Sequence, residues 1–212
     1  LGNTKLVSET EVLSYTLYIQ SHLALPILMG IFASDFIVTE FTSGYIKNII
    51  TYGHKRVNIL ISKALAYYTG IIIISFISPI LILLIDIVIN GYGEILTLNS
   101  IIAVIKSLLI MTIIYIAIGS ISFLAAFVSR NTSITIAIIV TLDFMNRILT
   151  IFAIRNTFFK KFYKKTIFCQ PSIVLADKVN TTEILQAIIV SLITIFVTTL
   201  LSNYAFKKID IK

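Results

Sequence analysis

The sequence predicts an all-α polytopic membrane protein, a single bundle of transmembrane helices, and three observations carry that prediction. The chain is 58% hydrophobic and only 13% charged over 212 residues, whereas a soluble domain holds about 45–50% apolar and about 25% charged residues. Segments 22–41, 64–89, 101–128, 133–153 and 184–205 each approach or exceed the length of about 20 apolar residues that crosses a hydrocarbon core as a helix. Alternation of period two is absent and the runs are too long for barrel strands, which leaves helices. A domain of this size cannot hide so much apolar surface in one core. A soluble enzyme and a disordered regulator are both excluded.

Before the first span, residues 1–20 form a polar leader with Glu9 and Glu11, expected outside the membrane. Pro26 and Pro79 fall inside the first and second spans, where ordinary bending in a packed bundle is favoured over a functional kink. Gly119, Ser122 and Ala126 share one face of the third span and allow close helix approach. Charges within spans cost several kcal/mol unless paired or wetted. Asp86 and Lys106 lie at neighbouring span ends and can pair, Asp143 and Arg147 are spaced i, i+4, and Asp35 has no evident partner.

Two connections are amphipathic. After Glu40, wound at about 100° per residue, Tyr45, Ile46, Ile49, Ile50 and Tyr52 gather on one face. Lys47, Asn48, Thr51 and Lys55 take the other. Gly53 is a plausible stop, followed by His54, Lys55 and Arg56. The second connection, 158–167, puts Phe158, Phe159, Phe162, Tyr163 and Ile167 on one half and Lys160, Lys161, Lys164 and Lys165 on the other. That pattern describes an interfacial helix with rings at the acyl boundary and lysines toward headgroups. Pro171 marks a turn before the last span.

The net charge of +7 suits anionic lipid or an acidic partner and, beside long apolar spans, argues against nucleic acid. Basic residues divide almost evenly between the two sides. Lys47, Lys55, Arg56, Lys63, Arg130, Lys207, Lys208 and Lys212 stand against Lys5, Arg155, Lys160, Lys161, Lys164, Lys165 and Lys178. Charge alone therefore leaves the orientation open. No catalytic or metal set is visible. His22 and His54 are far apart, Cys169 reads as an unreactive loop thiol, and no phosphate-binding loop, metalloprotease or nucleophile-elbow motif occurs. No cofactor is expected on this chain.

The block Glu40-Phe41-Thr42-Ser43-Gly44-Tyr45-Ile46-Lys47-Asn48-Ile49-Ile50, then Gly53-His54-Lys55-Arg56, then Ile61-Ser62-Lys63, resembles a segment of ABC-2 type exporter permeases. In that family the pattern after the second transmembrane helix is roughly acidic-x3-G-T-I-K-N, a turn, an arginine, and S-K at the next helix. Tyr45 stands where a small residue is usual. Pro171 and the run Phe206-Lys207-Lys208-Ile209-Asp210 are also similar to the family's C-terminal region.

The resemblance implies a type V exporter-like bundle of the subgroup that serves bacterial export of antimicrobial peptides, bacitracin and lantibiotics, in the cytoplasmic membrane. It implies six spans, so that a sixth is expected before Leu1, in keeping with the absent Met. It also places 42–62 in the cytoplasm and 154–183 outside. The expected partners are two copies of a separate ATPase chain carrying ATP and Mg, a second permease copy or paired homologue, and membrane lipids. Segment 43–56 would be the coupling helix, with Glu40, Gly44, Tyr45, Lys47, Asn48, Gly53, Arg56 and Lys63 as its residues. Lys47 and Arg56 would meet acidic or carbonyl groups of the ATPase. Two alternatives stay open: an ion-coupled transporter or channel using Asp35, Asp86 and Lys106, and a non-transporting immunity protein that sequesters peptide through the basic aromatic loop.

Overall fold

A computed structural model describes residues 9–90, 98–176 and 179–208. The start of the leader, most of the 90–100 connection and the charges Lys5, Lys178, Asp210 and Lys212 lie outside the described residues. The helices are α1 Glu9–Ile19, α2 Leu25–Ala33, α3 Thr39–Thr42, α4 Tyr45–Thr51, α5 Arg56–Asn90, α6 Leu98–Ser129, α7 Thr132–Arg155, α8 Thr157–Tyr163, α9 Gln170–Val174 and α10 Thr181–Lys208. Two π-helical turns, Gln20–Ala24 and Ser34–Val38, join α1, α2 and α3 into one continuous helix, and a 3-10 turn, Ile167–Cys169, precedes α9. Among the described residues there is no strand.

Five helices are long and apolar enough to cross a membrane, Leu25–Thr42, Arg56–Ile89, Ile101–Ser129, Thr132–Arg155 and Thr181–Lys208. These are the five spans read from hydropathy, most with longer ends. Their burial sorts them. The Leu25–Thr42 and Ile101–Ser129 windows are 44% buried, against 17% for the other three. α2 and α6 therefore form the centre, with α5, α7 and α10 packed around them. Gly119 makes this possible, because a Cβ there would run into the buried Ile71 side chain of α5 and lie 3.3 Å from Met29 Sδ of α2. Tyr67 donates to the Met29 carbonyl at 2.9 Å, Tyr115 to the Leu17 carbonyl at 2.9 Å, and Thr198 to Ser120 Oγ at 2.8 Å. Polar hydrogen bonds between helices hold a bundle where lipid offers little hydrophobic contrast.

Within the leader, residues 9–19 form a helix running straight into the first span. Leu13 and Leu17, spaced i, i+4, are buried in the main core, with α1 packed on α5 and α6. The polar composition concealed that short stripe.

Candidate functional site

At one end of the bundle, Phe41 meets Phe127 and Phe206 edge-on at 5.6 and 6.0 Å between centroids, which brings the ends of α3, α6 and α10 together. α4 sits at this end, between α3 and α5. Both of its boundaries are glycines in the left-handed region, Gly44 with φ 75° and Gly53 with φ 89°, a conformation that side chains with a Cβ adopt at a cost. The helix is shorter than segment 43–56, and its apolar face is narrower than its sequence suggests. Ile46 is buried and Ile49 and Ile50 pack on the core, yet Tyr45 and Tyr52 are exposed, Tyr52 at 85%. Tyr52 follows the last turn, and the reversal at Gly53 carries it off the packed face. Lys47, Asn48 and Thr51 are exposed as expected.

Two clamps fix this end. Glu40 and Lys63 form an ion pair within the chain, and the Lys63 ammonium lies 4.8 Å from the Phe36 ring centroid and 5.9 Å from that of Tyr45. The second clamp is made by Arg56. Its Nη1 donates to the Phe206 carbonyl at 2.8 Å and the Lys207 carbonyl at 3.0 Å, with the guanidinium 5.8 Å from the Phe206 ring. Those carbonyls lie in the last described turn of α10. Arg56 thus meets carbonyls, but of its own chain. Beside α4, Tyr45, Ile49, His54, Asn58, Ile59, Ser62 and Lys63 line a recess of about 320 Å³.

The intramembrane charges have different fates. Asp143 and Arg147 pair at 3.0 Å as their spacing suggests. Arg147 Nη2 also donates to the His22 carbonyl at 2.9 Å. That carbonyl lies four residues before Pro26, where proline has no N–H to offer and its ring crowds the acceptor. Just there the backbone opens into the π turn, with the Leu25 N–H bonded to the Gln20 carbonyl. Sequence reading named Pro26 and Arg147 separately and missed their connection. The i−4 offset from Pro26 marked the orphan carbonyl, although nothing marked its donor. The His22 ring is itself hydrogen-bonded to Ser21 at 2.7 Å and to Ser172 at 3.3 Å. Asp86 is half-buried and Lys106 exposed, and the ion pair expected between them is not among those of the described residues. Asp35 is exposed within the second π turn.

At the opposite end, α8 covers Thr157–Tyr163 only, where 158–167 was expected. Asn156 Oδ1 caps it by accepting the Phe158 N–H at 2.9 Å, and Ile167 belongs to the separate 3-10 turn. The aromatic half divides. Phe158, Phe159 and Phe162 are exposed beside Lys160, Lys161, Lys164 and Lys165, while Tyr163 and Ile167 are buried. The Tyr163 hydroxyl donates to Asn146 Oδ1 at 2.8 Å and accepts from Thr150 at 2.9 Å. Cys169 is buried beside Tyr163, and burial pushes its thiol up to about 11, consistent with an inert thiol. Among the described residues no cluster of His, Cys, Asp or Glu could hold a metal ion.

The family model of the ABC-2 family transporter proteins matches residues 2–146, which takes in α4, the Glu40–Lys63 pair, Arg56 and the first three spans. No curated protein and no solved structure matches the chain. With well over half its length covered, the chain belongs to the ABC-2 transporter family and is a multi-pass membrane permease component of an ABC transporter, a class that works with an ATPase.

Proposed function

We propose that this permease exports a hydrophobic or amphipathic cargo, antimicrobial peptides being one such class, from the bacterial cytoplasm. In this reading two permease chains work with two ATPase chains that carry ATP and Mg, and α4 is the coupling helix. One observation carries the proposal. A short helix is pinned at both ends by left-handed glycines and buries only Ile46 fully, turning Lys47, Asn48 and Tyr52 outward at an end otherwise locked by Glu40–Lys63 and Arg56. Such a helix transmits a push to α3 and α5 rather than absorbing it. The recess beside Tyr45 and Lys63 offers room for a partner side chain. Rigid-body movement of the bundles on nucleotide-driven closure of the ATPases would then alternate access.

At the far end the exposed rings and lysines of α8 would rest in an anionic lipid surface. The family match ends before α8, so that role is argued from this chain's own residues.

The test is Gly44→Pro with Lys47→Glu. Proline holds φ near about −65° and cannot adopt the +75° found at Gly44. The charge reversal meanwhile opposes docking. The double variant is expected to insert normally, while ATP hydrolysis by the ATPase chains no longer moves cargo in inverted vesicles. Normal coupling in that variant would reject α4 as the coupling helix.

A further inference from the structure

Asp35 is an intramembrane charge that neither clamp nor kink explains. It sits two turns in from Thr42, about 10 Å along the helix axis, well within the Leu25–Thr42 span. It has neither an ion-pair nor a hydrogen-bond partner among the described residues. A carboxylate held there is costly unless something compensates it.

The surroundings of Asp35 are those of a ligand groove. An open-sided furrow of about 600 Å³ runs over α2 and the second π turn, with Ile31, Phe32, Ser34 and Asp35 as its floor. Ile74 of α5 forms one wall and Ile136 of α7 the other. Close packing sets this shape. Gly70 lets the Phe32 ring lie against α5, where a Cβ would come within 2.6 Å of it, and Gly30 lets α2 seat on α7, where a Cβ would lie 3.1 Å from Ile139. Volumes of this order suit small ligands and single apolar chains. Ser34 is an independent sign, since its hydroxyl is fully buried on this groove and has no hydrogen-bond partner. Buried hydroxyls are ordinarily satisfied.

We propose that the α2–α5–α7 groove binds a cationic amphiphile, its ammonium or guanidinium group at Asp35 and its apolar body along Ile31, Ile74 and Ile136. The inference deepens the export reading above by naming a cargo class and the place where cargo rests. An apolar trough with one carboxylate selects against neutral lipids, which leave the charge uncompensated, and against anions, which it repels. It also selects against small hydrophilic cations, which leave the apolar walls empty.

The experiment uses the permease–ATPase complex in nanodiscs of zwitterionic phosphatidylcholine, with two photoactivatable probes of equal chain length, a dodecylamine and a dodecanol. Label positions are mapped by peptide mass analysis. The amine is expected to mark the segments around Ile31, Ile74 and Ile136. Asp35→Asn, nearly isosteric, should lower that labelling about tenfold, the scale of one lost charge-assisted hydrogen bond. Asp35→Glu should retain it, and the alcohol should label the parent and the Asn variant alike. Equal amine labelling of parent and Asp35→Asn overturns the proposal, as does amine labelling confined to other surfaces. Addition of ATP separates this inference from the export reading. Labelling that depends on Asp35 and falls on turnover supports both, whereas labelling that depends on Asp35 but ignores turnover keeps the site and rejects transport of this class.

Discussion

α4 and α8 are both seven-residue helices, both amphipathic in sequence, and they cap opposite ends of the same bundle. Their attachments differ. α4 is held through the backbone and by charge, with a left-handed glycine at each end, Ile46 in the core, and the Glu40–Lys63 and Arg56–Phe206 clamps on either side. α8 buries one side chain fully, Tyr163, touches α7 through the Phe152–Phe159 ring contact, and leaves three phenylalanines exposed beside four lysines. Amphipathicity alone does not distinguish a helix that folds its apolar face into its own protein from one that offers that face elsewhere. What distinguishes them is the geometry of their ends. Positive-φ glycines bound α4 at both ends, whereas α8 starts on the Asn156 side-chain cap and ends in a turn whose Lys164 carbonyl accepts from Gln170 and Gln186. The first arrangement suits a protein partner that pushes, the second a lipid surface that conforms.

The largest expected effect lies at α8. Each lysine near an anionic surface contributes about 1 kcal/mol, so replacing Lys160, Lys161, Lys164 and Lys165 together by Gln should remove about 4 kcal/mol of attraction. The chain has no Trp, so Phe158→Trp provides a clean reporter. Its fluorescence should be quenched more by brominated phosphatidylglycerol than by brominated phosphatidylcholine. The fourfold Gln variant should erase that preference, and 1 M salt should weaken it in the parent. A preference that survives the substitutions would remove the lipid reading and with it the contrast between the two ends.

A smaller effect is expected at α4. Glu40→Gln leaves Lys63, only about one fifth exposed, without its counter-charge, and an unpaired, partly buried charge costs about 1–3 kcal/mol. Local opening should follow, read as roughly tenfold faster hydrogen exchange at the amides of Ile46–Ile50. Exchange at Lys160–Lys164 should stay constant, because the clamp and α8 share no contact. Acceleration at both ends would mean that the bundle loosens as a whole and that the clamp is not local.

Which parts of this arrangement the sequence reveals follows from how far each interaction reaches. The spans are legible because about 20 apolar residues in a row need no knowledge of partners. Gly44 and Gly53 are legible for a similar reason, since a positive φ is a demand on one residue. Asp143–Arg147 is readable from an i, i+4 spacing, and it forms. Legibility fails where the partner is far along the chain. Nothing near Arg56 says that its acceptors are carbonyls at 206 and 207, and nothing near Arg147 points to the His22 carbonyl freed by Pro26. It fails again where a helix ends earlier than its pattern. Tyr52 and Ile167 fit their helical faces on paper but lie beyond Thr51 and Tyr163, so the faces they were assigned to do not exist at those positions. Asp35 is intermediate: its charge within a span is plain in the sequence, while the groove around it depends on Gly30 and Gly70 admitting neighbours from two other helices.

The smallest expected effect concerns the buried anchor of α8, and Cys169 reports it. The thiol is buried beside Tyr163, and burial raises it to about 11. The neutral thiol therefore persists throughout the neutral range, and the reactive thiolate increases only as pH climbs toward that value. Alkylation by iodoacetamide should be slow at neutral pH and rise about tenfold for each unit up to about pH 10. Tyr163→Phe keeps the ring but removes the hydroxyl that links Asn146 and Thr150. The loss of about 1 kcal/mol of hydrogen bonding should open the site enough to raise the alkylation rate roughly fivefold at fixed pH. If the rate does not move, the hydroxyl is not what holds α8, and its attachment must lie in the Asn156 cap, the Phe152–Phe159 contact, the bonds to the Lys164 carbonyl or the packing of Ile167. In that case α8 would resemble α4 in being fixed by its ends, and the difference between the two connections would reduce to what each one faces.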